Sequence, residues 1–271
     1  MLGYASKIAS DFLGLSLVAG VGVGLRWLWA ILTHFGAIRA KGNLQPADWA
    51  LGPGPFNVSA AGSRATLVGE GVVSGIREAW VRHVYLGSPG FETFPDSGVF
   101  LDLGANMGNV TLMALGRGPN VRAVAVECNP GHIASLKRSL DVNGWTGRAD
   151  IVNAFIGGFT PFQENERQHD ASHVPTLSVD ELLARYNITR IAYLKCDIEG
   201  SEFDLFKPGS KLLAITDRLG MEIHDHLGSR ADMLKLLENE GFQVHLHRDD
   251  KVCCMIHARR IKKSGTTDEH R

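Results

Sequence analysis

The chain predicts an α/β fold: a mainly parallel, seven-stranded sheet with helices on both faces and an antiparallel hairpin at the C-terminal end. Three observations predict it. From residue 99 onward, short apolar runs alternate with amphipathic stretches of helical period. Several apolar runs end in an acid, as strands do whose carboxyl ends open onto a crevice. The last two runs are separated only by Arg248-Asp249-Asp250-Lys251, a hairpin spacing.

Residues 1–42 stand apart. The stretch 12–35 is strongly apolar, and a spanning helix needs about 20 such residues. Arg26 within it would cost at least about 2.5 kcal/mol near a bilayer centre. Gly14, Gly20, Gly22 and Gly24 weaken a helix in water. On a helical wheel Asp11, Ser16, Arg26, Thr33 and His34 fall within one half, leaving a wide apolar face. One helix is expected, either docked on its own domain or lying on a membrane surface through Trp27, Trp29, Arg39 and Lys41. A signal peptide fits less well, because the tryptophans stand where a small-residue cleavage site belongs.

Residues 43–98 form a leading segment. Gly52-Pro53-Gly54-Pro55 is a turn, and 77–85 reads as a helix, amphipathic through Trp80, Val81, Val84 and Tyr85. The domain proper is expected over 99–258. Its strands are 99–103, 121–127, 151–155, 191–196, 219–223, 243–247 and 252–257; its helices are 109–116, 131–143, 178–186, 209–214 and 229–241. Ser178 and Glu181 have capping-box spacing. The polar stretch 163–173 has no periodicity and predicts a long loop over the site. Residues 259–271 are a charged tail.

Composition narrows the function classes. With 28 Lys and Arg against 29 Asp and Glu, no broad basic field for nucleic acid is expected. The four cysteines contain no Cys-x-x-Cys pair, which disfavours a zinc ribbon or a redox motif and suits a reduced, cytoplasmic setting.

The candidate site residues sit at strand ends. Asp102 ends the first strand and is followed by Gly104, Asn106 and Gly108; Glu127 ends the second; Asp197 and Glu199 follow the fourth; Glu222 and His224 end the fifth. The glycine spacing is Gly-x-x-x-Gly, whereas a dinucleotide loop would read Gly-x-Gly-x-x-Gly and aim a helix at a pyrophosphate. An acid before the loop suits a ligand with an ammonium and a sulfonium and no phosphate, S-adenosylmethionine. Glu127 can accept from both ribose hydroxyls. Asp197 or His224 is the expected general base toward a hydroxyl, and no metal is expected. An NAD-linked oxidoreductase and a non-catalytic nucleoside-binding module remain the alternatives.

These residues resemble the FkbM family of S-adenosylmethionine-dependent methyltransferases. The matching text is FLDLGANMGN at 100–109, VECNP at 126–130, VDEL at 179–182, LKCDIEGSE at 194–202 and EIH at 222–224, over about 77–257. The family often has Pro at the position of Cys128, and Ile or Val at that of Cys196. The resemblance implies a Rossmann-like class I methyltransferase fold. It implies methyl transfer, usually to an oxygen, on a small-molecule, glycan or lipid-linked acceptor. Carried onto this chain, Asp102, Gly104, Asn106, Gly108 and Glu127 would hold the cofactor, and Asp197, Glu199 and His224 would line the acceptor side.

Overall fold

The computed structural model describes residues 2–158, 160–169, 172–249 and 253–261. The chain opens with four helices: α1 (Leu2–Ala19), α2 (Val21–Thr33), α3 (Phe35–Lys41) and α4 (Gln45–Trp49). A hairpin follows, β1 (Phe56–Ala60) and β2 (Ser63–Leu67), and then α5 (Val72–Gly75), which continues through wide turns over Ile76–Val81. The alternating part comprises β3 (Ser97–Leu103), α6 (Asn109–Leu115), β4 (Asn120–Glu127), α7 (Pro130–Asn143) and β5 (Ala149–Asn153). Next come β6 (Phe155–Ile156), α8 (Pro161–Gln168), β7 (Thr176–Leu177), α9 (Val179–Arg185) and β8 (Tyr193–Cys196). The last elements are α10 (Glu202–Leu205), α11 (Lys211–Ala214), β9 (Arg218–His224), α12 (Arg230–Asn239), β10 (Phe242–Asp249) and β11 (Cys253–Arg260).

Seven strands form the central sheet in the order β10-β11-β9-β8-β3-β4-β5. The five from β9 to β5 are parallel, and β11 runs antiparallel to both β9 and β10. This is the expected Rossmann-like class I methyltransferase sheet. From β3 the chain first builds outward through β4 and β5, then returns to place β8 on the other side of β3. That reversal opens a crevice beyond the carboxyl ends of β3 and β8.

Strand alternation divides the core in two. Phe100, Ala123, Ala125 and Tyr193 face one cluster together with α6, α7 and the N-terminal helices. Leu101, Leu103, Val124, Val126 and Leu194 face the other, with α9, α11 and α12. A period of two on strands buried on both faces produces this division.

Four local expectations change. The apolar N-terminal stretch is two helices rather than one, broken at Gly20, whose φ of 99° suits glycine. Residues 163–168, expected as part of a loop, belong to α8, with the Thr160 side chain accepting from the Gln163 N–H and a proline in the first turn. The leading segment, read only as a turn and a helix, also holds the β1–β2 hairpin, which turns at Ala61-Gly62, both at positive φ. The helix expected over 77–85 ends at Val81. The hairpin turn at 250–252 and the tail from 262 lie outside the described residues.

The N-terminal helices are fixed to the domain by a buried ionic network. Arg77 pairs with Asp11 at 2.8 Å and with Asp48 at 2.9 Å, Arg82 also pairs with Asp11, and Trp27 Nε1 donates to Asp48 at 2.8 Å. Asp11 therefore points inward, although the wheel grouped it with the polar half.

Candidate active site

A cavity of about 900 Å³ opens at the crevice, within the size range of small-molecule sites. Its walls include Gly104, Asn106 and Met107 after β3, Glu127 at the end of β4, and Asp197 and Glu199 after β8. Glu78 and Tyr85 enter from the leading segment, Phe155 and Gln163 from the far side, and Gln45 and Trp49 from α4. Asp102, Glu127 and Asp197 thus converge on one end of the sheet, but they do different things there.

Glu127 organises the first loop. Its Oε2 accepts from the Asn106 N–H at 2.7 Å, and its Oε1 accepts from the Asn129 N–H at 2.9 Å and faces His132 Nδ1 at 3.3 Å. Burial works against the charge, yet the His132 interaction and the two N–H donors outweigh it and hold the carboxyl below its usual range.

Asp102 does not line the cavity, contrary to its expected contact with a ligand cation. It is fully buried, accepts from Thr111 Oγ1 at 2.6 Å and lies 3.4 Å from Lys195 Nζ. The parallel register sets Asp102 directly beside Lys195, so its charge is spent inside the sheet. Gly108 is also absent from the wall. It caps α6 at φ 82°, and a Cβ there would collide with Leu136 of α7. Its smallness serves helix packing. Gly104 and Asn106 do line the cavity.

Lys195 binds the two loops together. It donates to the Gly104 carbonyl and lies 3.8 Å from Asp197 as well as beside Asp102. Burial opposes its charge, but the two aspartates overcome this and keep the ammonium protonated above its ordinary value. Alternation places Lys195 and Asp197 on the same side, so a local pair forms where none was required by the sequence reading.

Asp197 faces the cavity with Oδ2 accepting from the Tyr85 hydroxyl at 2.9 Å. Further carboxylates surround it. Burial raises Glu78, Glu199 and Glu222, and repulsion from Asp197 adds to each. Glu199 adopts a φ of 55°, a strained conformation for a non-glycine residue.

His224 is not the neutral base expected. It lies outside the cavity wall, with Nδ1 2.9 Å from Glu202 Oε1 and Nε2 3.5 Å from Glu199 Oε2. Burial disfavours its charge, but Glu202, Asp197 and Glu199 prevail and raise it to about 9. At neutral pH it is an imidazolium that donates to Glu202 and faces Glu199. Glu202 itself is fully buried rather than solvated. Among the described residues, Asp197, Glu199 and His224 bring one ligand atom each within 4.8 Å of one another, a spacing a divalent cation can bridge.

Sequence reading missed Glu78, Tyr85 and Gln163. Tyr85 and Glu78 fall in a stretch read only for its apolar face. Gln163 was assigned to a loop, whereas in α8 its amide donates to Ser201 Oγ at 2.7 Å and to the Ile156 carbonyl.

Residues 102–244 match the model of the methyltransferase FkbM domain. Methyltransferase 1 of Beauveria bassiana (strain ARSEF 2860) is 25% identical over 191 residues, covering 58% of this chain and 77% of that protein. Similar solved structures include a precorrin-6y C5,15-methyltransferase from Geobacter metallireducens GS-15, with a TM-score of 0.42 and 17% identity over 62% of this chain and 82% of that one. An rRNA methylase from Streptococcus thermophilus has a TM-score of 0.41 and 13% identity, over 63% of this chain and 91% of its own. The family match spans more than half of the sequence and takes in both acid-bearing loops, Glu127 and the β9 end; the chain belongs to the FkbM family of S-adenosylmethionine-dependent methyltransferases.

Proposed function

We propose that this methyltransferase acts on a hydroxyl oxygen of a small metabolite, a sugar or a lipid-linked acceptor, with Asp197 as the general base. The observation that carries the reading is the setting of Asp197: it faces the cavity, is held by Tyr85 and is ringed by carboxylates of raised affinity for protons.

The residues present fit S-adenosylmethionine. Glu127 retains acceptor capacity on Oε2 for a ribose hydroxyl, since a carboxylate oxygen has two lone pairs and one N–H reaches this one. Val126, Phe155 and Ile156 offer an apolar wall for a base, and the Gly104–Met107 backbone lies open beside them. The bound cofactor supplies a methyl group already activated on a sulfonium.

The chain's own part is alignment and proton removal. Asp197 takes the acceptor proton on a carboxylate oxygen, and Tyr85 fixes the carboxylate's orientation. Positioning two reactants in the cavity supplies much of the acceleration. Base catalysis adds typically ~10²–10⁴-fold. His224 serves as a positioning residue that steadies Glu199 and Glu202.

Labelled methyl transfer from S-adenosylmethionine into a cell extract, followed by mass analysis of the product, tests the acceptor class. Asp197→Asn is expected to keep cofactor affinity by calorimetry and to slow turnover by ~10²-fold or more. A product methylated on nitrogen or carbon, or unchanged turnover in Asp197→Asn, rules the reading out.

A further inference from the structure

We propose that the outward face of α1 and α2 docks on an anionic lipid surface. The inner faces of these helices are buried: Leu15, Trp27, Ala30 and Ile31 enter the core. Their outer faces carry large apolar side chains that no described residue covers. Leu13, Leu17, Val21, Leu25, Trp29 and Leu32 range from 54% exposed at Leu25 to 85% at Leu17. The three- and four-residue spacings along each helix place them in continuous rows. A soluble monomer rarely leaves so large an apolar patch open without using it.

Charge selects the occupant. The first fifty residues hold four basic side chains, Lys7, Arg26, Arg39 and Lys41, all exposed. Their only acids, Asp11 and Asp48, are buried against Arg77 and Arg82. The exposed charge of this segment is therefore entirely positive, on a chain whose formal net charge is −1. A second copy docked on the same face would bring like charges together; an anionic lipid surface meets them with the opposite sign. Exposed Trp29 and Trp49 supply the amphipathic rings that favour a headgroup boundary.

The geometry suits a helix pair lying in the boundary. No single described helix is long and apolar enough to cross a membrane, and α2 with α3 reaches that length only through a 76° bend. Trp49 is half exposed and also lines the cavity. Because α4 packs on α2, docking holds this wall of the cavity near the lipid, where an acceptor carried on an acyl chain can reach it; this last step rests on the hydroxyl-methylation reading.

The test uses the full chain and vesicle flotation. Wild type is expected to float with phosphatidylcholine vesicles containing phosphatidylglycerol, and about tenfold less with phosphatidylcholine alone or at high salt. Combined Leu17→Ser, Trp29→Ser and Leu32→Ser should reduce flotation by at least about tenfold, while calorimetric affinity for S-adenosylhomocysteine stays unchanged. Arg39→Gln with Lys41→Gln should remove the preference for anionic lipid. Absent flotation, equal flotation of the serine variant, or a wild-type dimer that the serine variant dissociates would overturn the proposal. None of these outcomes touches methyl transfer, whose failure appears instead as a loss of product in solution.

Discussion

Glu127 sets two carboxylate oxygens against two backbone N–H groups and one imidazole, so it shapes the loop before any ligand arrives. Removing it deletes charge-assisted bonds of about 1.5–3 kcal/mol each. Glu127→Ala should therefore weaken S-adenosylmethionine binding by ~10–100-fold in calorimetry. The imidazolium at His224 gives a pH test. Its folded value of about 9 exceeds the ordinary 6.5, so its stabilisation is complete below about pH 6.5 and disappears as pH rises through about 9. One such group contributes up to about 3 kcal/mol. The melting temperature should fall from about pH 7 to about pH 10, and His224→Gln should flatten that slope. Strand-end position made the acids legible in the sequence. Their partners were not, because Asp102 and Lys195 meet only through strand register, 93 residues apart in numbering.

At the scale of elements, the wide turns after α5 are the joint between the N-terminal helices and the sheet. They present Arg77 and Arg82 to one side and Glu78 to the cavity. Arg77→Ala leaves Asp48 buried without its ion-pair partner, a change that costs about 3–5 kcal/mol. A matching drop in urea-unfolding free energy is expected, with Asp11 still held by Arg82. This network links residues 11, 48, 77 and 82, and no local pattern announces contacts across such separations. By contrast, α8 was signalled by Thr160, Pro161 and Gln163, and its low apolar content concealed it. The capping box of α9 formed as spaced, because its two bonds are internal to four residues.

At the scale of the molecule, the sheet was legible because alternating strands and helices with short crossovers permit few arrangements. The orientation of the N-terminal layer was not. A helical wheel assigns polar residues to water by default, and here buried Arg77 and half-buried Arg82 draw Asp11 inward while leucines remain outside. That inversion depends on Arg77 and Arg82, which lie well outside the wheel.

Gly104 passes so close to the Asp197 carbonyl that a methyl group would not fit between them, and the Asp197 N–H donates to Leu103 at 3.0 Å. The loop after β3 and the residue proposed as base consequently share one rigid floor. Gly104→Ala should impair cofactor affinity and turnover together, a joint loss visible by pairing calorimetry with initial rates. Trp49 and Phe162 stand partly exposed around the opening, where substitutions leave that floor in place. Tailoring this enzyme to a different acceptor is a matter of recarving that entrance while leaving the bottom untouched.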